Sequence, residues 1–143
     1  MKEPEFLEPE AVVFLHDAAL AAYGGIPGIK HPGLLDSALA RPLNKAAYEP
    51  PGSFDLLDLA AAYAFGISSN HPFNDANKRT AFSSCALFLA VNGVGITAPD
   101  TEIIEQMVAL AQGALSEQAF AAWLRTVTAP EAAATPSTAT PKG

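Results

Sequence analysis

One run of ten residues, His71-Pro72-Phe73-Asn74-Asp75-Ala76-Asn77-Lys78-Arg79-Thr80, gathers an imidazole, a carboxylate, amides and two adjacent cations. These are parts that phosphate chemistry uses. An imidazole such as that of His71 can accept a proton from an attacking hydroxyl near neutral pH. Asp75 offers a hard oxygen ligand, suited to one Mg²⁺ that keeps most of its water and bridges to phosphates. Lys78 and Arg79 are two of only eight Lys and Arg residues, in a chain with fifteen Asp and Glu and a net charge of −7. An acidic protein that concentrates cations at one point is set up to hold an anion there.

The sequence that follows predicts how those groups are held. From Ala76 to Asn92 there is neither Pro nor Gly, and Ala81, Phe82, Cys85, Leu87, Phe88 and Leu89 supply an apolar pattern that ends at Gly93. That is the signature of a buried helix closed by a glycine cap. Its first turn would carry Asn77, Lys78 and Arg79, so free N–H groups, the positive dipole end and both cations coincide. Taken one at a time the residues have plainer roles. Alone, His71 reads as a turn residue, Asp75 as an N-cap, Asn77 as a local backbone partner and Lys78-Arg79 as a solvated pair. Together, in this order, they read as a site.

The run resembles the signature of the Fic/Doc family, H-[P/x]-F-x-[D/E]-[G/A]-N-[G/K]-R, and is most similar to its Doc branch. A softer stretch, Tyr23-Gly24-Gly25-Ile26-Pro27-Gly28 with Pro32-Gly33-Leu34-Leu35 and Ala38-Leu39-Ala40-Arg41-Pro42, resembles the N-terminal part of Doc-type chains. The resemblance spans roughly residues 9 to 128. It implies that His71 acts as the base, that Asp75 helps hold Mg²⁺, and that Asn77, Lys78 and Arg79 bind the phosphates of ATP. It further implies a toxin of a toxin–antitoxin pair with a cognate antitoxin as partner. The implied target is a threonine of elongation factor Tu, whose phosphorylation blocks translation. Fic adenylyltransferases usually read G-N-G-R-x-x-R, whereas here Lys78 stands at the second glycine and Phe82 at the second arginine. That departure favours transfer of the γ-phosphate over transfer of an adenylyl group. The alternatives are a Fic-type adenylyltransferase using the same loop, or a non-catalytic nucleotide-binding module.

Helices are the elements expected to position the run. They are read over Pro9–Tyr23, opened by a proline and closed by two glycines, and over Gly33–Arg41, stopped by Pro42. Others are read over Asp55–Ser69, over the segment ending at Asn92, near Asp100–Gln112, and from about Ser116 to Val127. With no alternating segment of useful length, the expectation is an all-α domain of about six helices over residues 1–128, with at most a small flap or hairpin. Leu43 to Phe54, with Pro50-Pro51-Gly52, is expected to be irregular. By the resemblance it would be a flap on which Lys45 and Tyr48 present an edge to a target segment. Residues 129–143, rich in Ala, Thr and Pro, read as a disordered tail.

The remaining features exclude functions more than they suggest them. The acidic balance argues against general nucleic-acid binding. No run approaches a membrane span, and Met1-Lys2-Glu3-Pro4-Glu5 lacks the layout of a signal peptide. A cytoplasmic protein is expected. The single cysteine, Cys85, falls in the apolar helix and reads as a buried, inert thiol. His16, His31 and His71 lack metal-ligand spacing. His16 reads as structural, His31 as a turn residue, and Phe120 with Trp123 as packing of the last helix. Thr101 to Glu105 is similar to the inhibitory S/T-x-x-x-E of Fic proteins, but Gln106 follows it, so the stretch reads as a helix start. Regulation is then left to a separate antitoxin.

Overall fold

Asp55 starts the helix around which the other elements assemble. In the computed structural model, which describes residues 3–130, its carboxylate accepts the N–H groups of Leu57 and Asp58 at 3.0 and 3.1 Å. The Asp58 carboxylate in turn accepts the N–H of Asp55 at 2.9 Å. This reciprocal cap satisfies the orphan donors of α3, Leu56–Asn70. Arg125 closes over both carboxylates, 2.9 Å from Asp55 and 3.3 Å from Asp58.

α3 is buried on several sides because Ala60, Ala61, Ala62 and Ala64 add almost no bulk there. Neighbouring helices approach it closely. α2 (Pro32–Tyr48) and α4 (Asn77–Val91) pack on it most extensively, followed by α6 (Glu117–Val127) and α5 (Asp100–Ala111). α1 (Pro9–Tyr23) lies against α4. The core joins Leu59, Tyr63 and Ile67 of α3 to Cys85, Phe88 and Leu89 of α4, Leu35 and Leu39 of α2, and Phe120 and Leu124 of α6. Tyr63 sits 5.1 Å from Phe88 between ring centroids, and its hydroxyl accepts the N–H of Leu7. Burial raises the Tyr63 phenol above its ordinary pKa and pushes the Cys85 thiol far above the usual thiol range, which leaves it inert.

Two three-residue strands complete the fold of the described residues. β1 (Val94–Ile96) pairs antiparallel with β2 (Thr128–Pro130), Val94 opposite Pro130 and Ile96 opposite Thr128. They are joined through α5 and α6 rather than by a turn, so the small antiparallel element is not a simple hairpin. Among the described residues the architecture is the expected helical one of six helices. Ala129 and Pro130, expected in the tail, are strand residues, and the rest of that tail lies outside the described residues. Trp123 Nε1 donates to Glu102 at 2.6 Å, which ties α6 to the first turn of α5, the helix on which Thr101 to Glu105 lie.

The structure corrects two expectations. α2 does not stop at Pro42 but runs through it to Tyr48. Pro42 has no N–H for the Ala38 carbonyl one turn earlier, and that carbonyl instead faces Gly66 of α3. A Cβ on Gly66 would lie 3.0 Å from it. The freed acceptor and the close helix contact occupy the same spot, so the proline is tolerated. Residues 43–48 are consequently helical rather than a flap. Tyr48 is the last residue of α2, 82% exposed, and Lys45 pairs at 3.0 Å with Glu49, the residue just past the helix end. No strand edge forms there among the described residues.

Candidate functional site

The loop between α3 and α4 begins and ends on residues in left-handed backbone conformations, His71 (φ 49°) and Ala76 (φ 62°). Neither is glycine, so each position costs about 1–3 kcal/mol and persists only if its surroundings impose it. Asn77 imposes part of it from within. Its buried side chain accepts the Phe73 N–H at 3.0 Å and donates to the Phe73 carbonyl at 3.0 Å. Phe73 itself is fully buried and anchors the loop in the core. The same amide nitrogen of Asn77 faces Nδ1 of His71 at 3.4 Å. That is too long to fix the tautomer but short enough to orient the ring.

The rest is imposed by the Tyr23–His31 segment, which runs antiparallel along the loop. Ile26 donates to Asp75 Oδ2 at 3.1 Å, the Asn74 side chain donates to the Pro27 carbonyl at 2.9 Å, and Asn74 N–H donates to the Gly28 carbonyl at 3.1 Å. Ile29 bridges to Phe73, and Lys30 and His31 both donate to the Pro72 carbonyl. Two glycines permit this approach. At Gly25 (φ 132°) a Cβ would fall 2.9 Å from the Asp75 carboxylate, and at Gly28 (φ 105°) one would fall 3.0 Å from the Asn74 amide. The glycine-rich stretch of the sequence is thus the cradle of the loop.

Asp75 does not cap α4. Its Oδ1 accepts the N–H of Ala76, the residue next to it, and Oδ2 accepts that of Ile26. Ala76 holds the N-cap position with no side-chain cap, so the first amides of α4 stay available to an anion. The N–H of Ile26, then that of Ala76, and more weakly the Arg79 charge, hold the exposed Asp75 carboxyl below the usual carboxylate range. It is ionised at neutral pH, and each oxygen retains room for a further partner.

Asp75, Ala76, Asn77, Lys78 and Arg79 line one cleft of about 350 Å³, walled on its far side by Ile104 and Met107 of α5. Lys78 is exposed at its edge. The Arg79 guanidinium stacks 4.0 Å over the ring of Tyr23, itself 70% exposed. His71 is exposed at the start of the loop, against the Asn77 side chain, and is not among the residues that line the cleft. Asn77 can face the cleft only with its backbone, since its side chain is held by Phe73. Phe82, in place of a second arginine, packs against the core. Sequence reasoning gave Tyr23, Gly25 and Ile26 only as part of a family-like stretch and assigned no role at the site to them, to Ile104 or to Met107. The paired glycines after Tyr23 were the one available signal. Among the described residues no three His, Cys, Asp or Glu side chains gather as a metal cluster, and no helix is long and apolar enough to cross a membrane.

A helical domain that presents this loop at an uncapped helix start defines a class. Residues 6–89 match the Fic/DOC family, and the chain belongs to that family. It is 39% identical over 119 residues to "Protein kinase doc" of Escherichia phage P1, covering 83% of this chain and 92% of that protein. It is 38% identical over 94 residues to "Toxin Doc" of Mycolicibacterium smegmatis, covering 66% and 69%.

Proposed function

We propose that this chain is the toxin of a toxin–antitoxin pair and a protein kinase of Doc type. It transfers the γ-phosphate of ATP to a threonine hydroxyl of a translation factor such as elongation factor Tu. The observation that carries the reading is the uncapped N-terminus of α4, which shares one cleft with Asp75, Lys78 and Arg79, with His71 at the start of the same loop against Asn77. The names of the two relatives support it. The amides of α4, Lys78 and Arg79 would bind the nucleotide phosphates and offset charge as the phosphoryl group moves. His71 accepts the hydroxyl proton, the hydroxyl oxygen bonds to the γ-phosphorus, and ADP leaves. An ionised carboxylate with vacant lone pairs beside an anion cleft fits Mg²⁺ held by one protein ligand, water and phosphates, so Asp75 is the residue that would hold it. Bound there, the ion would neutralise phosphate charge.

The same reading assigns the protein to the cytoplasm and gives it a cognate antitoxin, encoded alongside it, that folds over the helical surface on binding. The test is the intact mass of elongation factor Tu after incubation with this protein, ATP and Mg²⁺, with a His71→Ala variant as control. A phosphate-sized gain that the variant fails to produce is expected. An adenylyl-sized gain would refute γ-phosphate transfer and the inference from Lys78. No gain would refute this target.

A further inference from the structure

His16 lies outside the loop and outside the cleft, yet it touches the loop at two points. It projects from α1 and is buried to 1% exposure. Its ring stacks on Phe73, with centroids 3.9 Å apart and planes within 10°. Its Nε2 lies 3.0 Å from the backbone carbonyl of Asp75. A carbonyl only accepts, so Nε2 must carry the hydrogen. The other ring nitrogen faces the Asp17 carboxylate at 3.8 Å. A buried polar side chain thus directs its one committed donor at the residue next to the strained Ala76. Phe73 and Asp75 are also the residues from which Asn77 and Ile26 hang the rest of the loop.

We infer that His16 is a positioning residue: through the Phe73 stack and the Asp75 carbonyl, α1 fixes the direction of the Asp75 carboxylate and the start of α4. This rests on the proposed function in that the geometry so fixed is that of a nucleotide cleft. Aliphatic packing alone would fill the space His16 occupies. Only a side chain with a donor at the Nε2 position also holds the carbonyl, and with it the turn that leaves the α4 amides open. The roles separate cleanly. Asn77 holds the loop from inside, the glycine segment holds its outer edge, and His16 holds its underside.

Three proteins test this: the wild type, His16→Leu, which fills the space without a donor, and His16→Gln, whose side-chain amide nitrogen can stand where Nε2 stood. Amide-proton exchange by NMR and binding of a non-hydrolysable ATP analogue with Mg²⁺ are read on each. In His16→Leu, exchange at Ile26 and Ala76 should quicken about tenfold, while the amides of α3 are unchanged and analogue affinity falls about tenfold, the scale of one lost hydrogen bond and a misplaced group. His16→Gln should restore both. Unchanged exchange at Ile26 and Ala76 in a folded His16→Leu overturns the inference. If that variant fails to fold, His16→Gln decides: retained protection at the two amides supports the inference, and lost protection overturns it. If the wild type binds no nucleotide, the proposed function falls, and the exchange measurement still decides the role of His16.

Discussion

Replacing Asn77 with alanine separates two roles that the sequence alone leaves tangled. If the side chain were a phosphate ligand, its loss would weaken nucleotide binding and leave the fold intact. In the structure it is a clamp on Phe73, and both Phe73 backbone groups lose their partner. Each buried group left unpaired costs about 1–3 kcal/mol, giving about 2–6 kcal/mol for the pair. The better helix propensity of alanine returns roughly half a kcal/mol at the first position of α4. A net loss of about 1.5–5.5 kcal/mol should lower the melting temperature of a domain this size by about 5–15 °C. Thermal melts and urea midpoints measure it directly. A variant that melts within about 2 °C of the wild type while losing nucleotide affinity would refute the clamp and return Asn77 to the ligand, since a lost clamp of this size must move the melt by more than that.

Other perturbations probe the frame. Gly66→Ala should destabilise by about 1 kcal/mol in urea denaturation, because crowding against the Ala38 backbone exceeds the propensity gain of alanine; a more stable variant would contradict the close contact. Asp55→Ala should cost about 1–2 kcal/mol at neutral pH through loss of the cap. Burial alone would raise the Asp55 carboxyl, but hydrogen bonds from Asp58 and Arg125 outweigh it and lower the group below its ordinary 3.8. A carboxyl depressed in the fold stabilises above its unfolded value and loses that contribution as pH falls through its folded value. The gap between wild type and variant should therefore be full at neutral pH and narrow only in acid below 3.8, which melts across pH would show. Thr80→Val should be neutral or stabilising by up to about 1 kcal/mol, since Thr80 Oγ1 is buried without a partner among the described residues; a marked loss of melting temperature would reveal a hidden partner.

How much of this was legible follows from the range over which each signal acts. The limits of α1, Pro9–Tyr23, were readable because a proline opens it and two glycines close it, and both act locally. Asp75 to Arg79, which line one cleft, could be grouped for the same reason, since they lie in one run. What escaped depends on contacts distant in sequence. Pro42 looked like a stop because the groove beside Gly66 that accommodates it belongs to another helix. β1 and β2 are three residues each and carry no periodicity, so only their pairing defines them. Asp75 looked like a cap because nothing local announces Ile26 as its partner. His16 looked merely structural because its value lies in the Asp75 carbonyl, fifty-nine positions further along the chain.

Pro42 and Gly66 carry an evolutionary consequence. Pro42 leaves the Ala38 carbonyl without its helical donor, and a Cβ on Gly66 would meet that carbonyl at 3.0 Å, so the two positions bear on one contact. A lineage that exchanged Pro42 first would give that carbonyl a donor within the helix and ease one of the contacts a larger residue at 66 would meet, Ala38 Cα remaining at 3.2 Å. The reverse order passes through a crowded intermediate. A double-mutant cycle of Pro42→Ala and Gly66→Ala should show that non-additivity, at about 0.5–1 kcal/mol for residues sharing a contact, and strict additivity would dissolve the link. The path by which this helix pair can drift is thereby directional, set by one missing hydrogen.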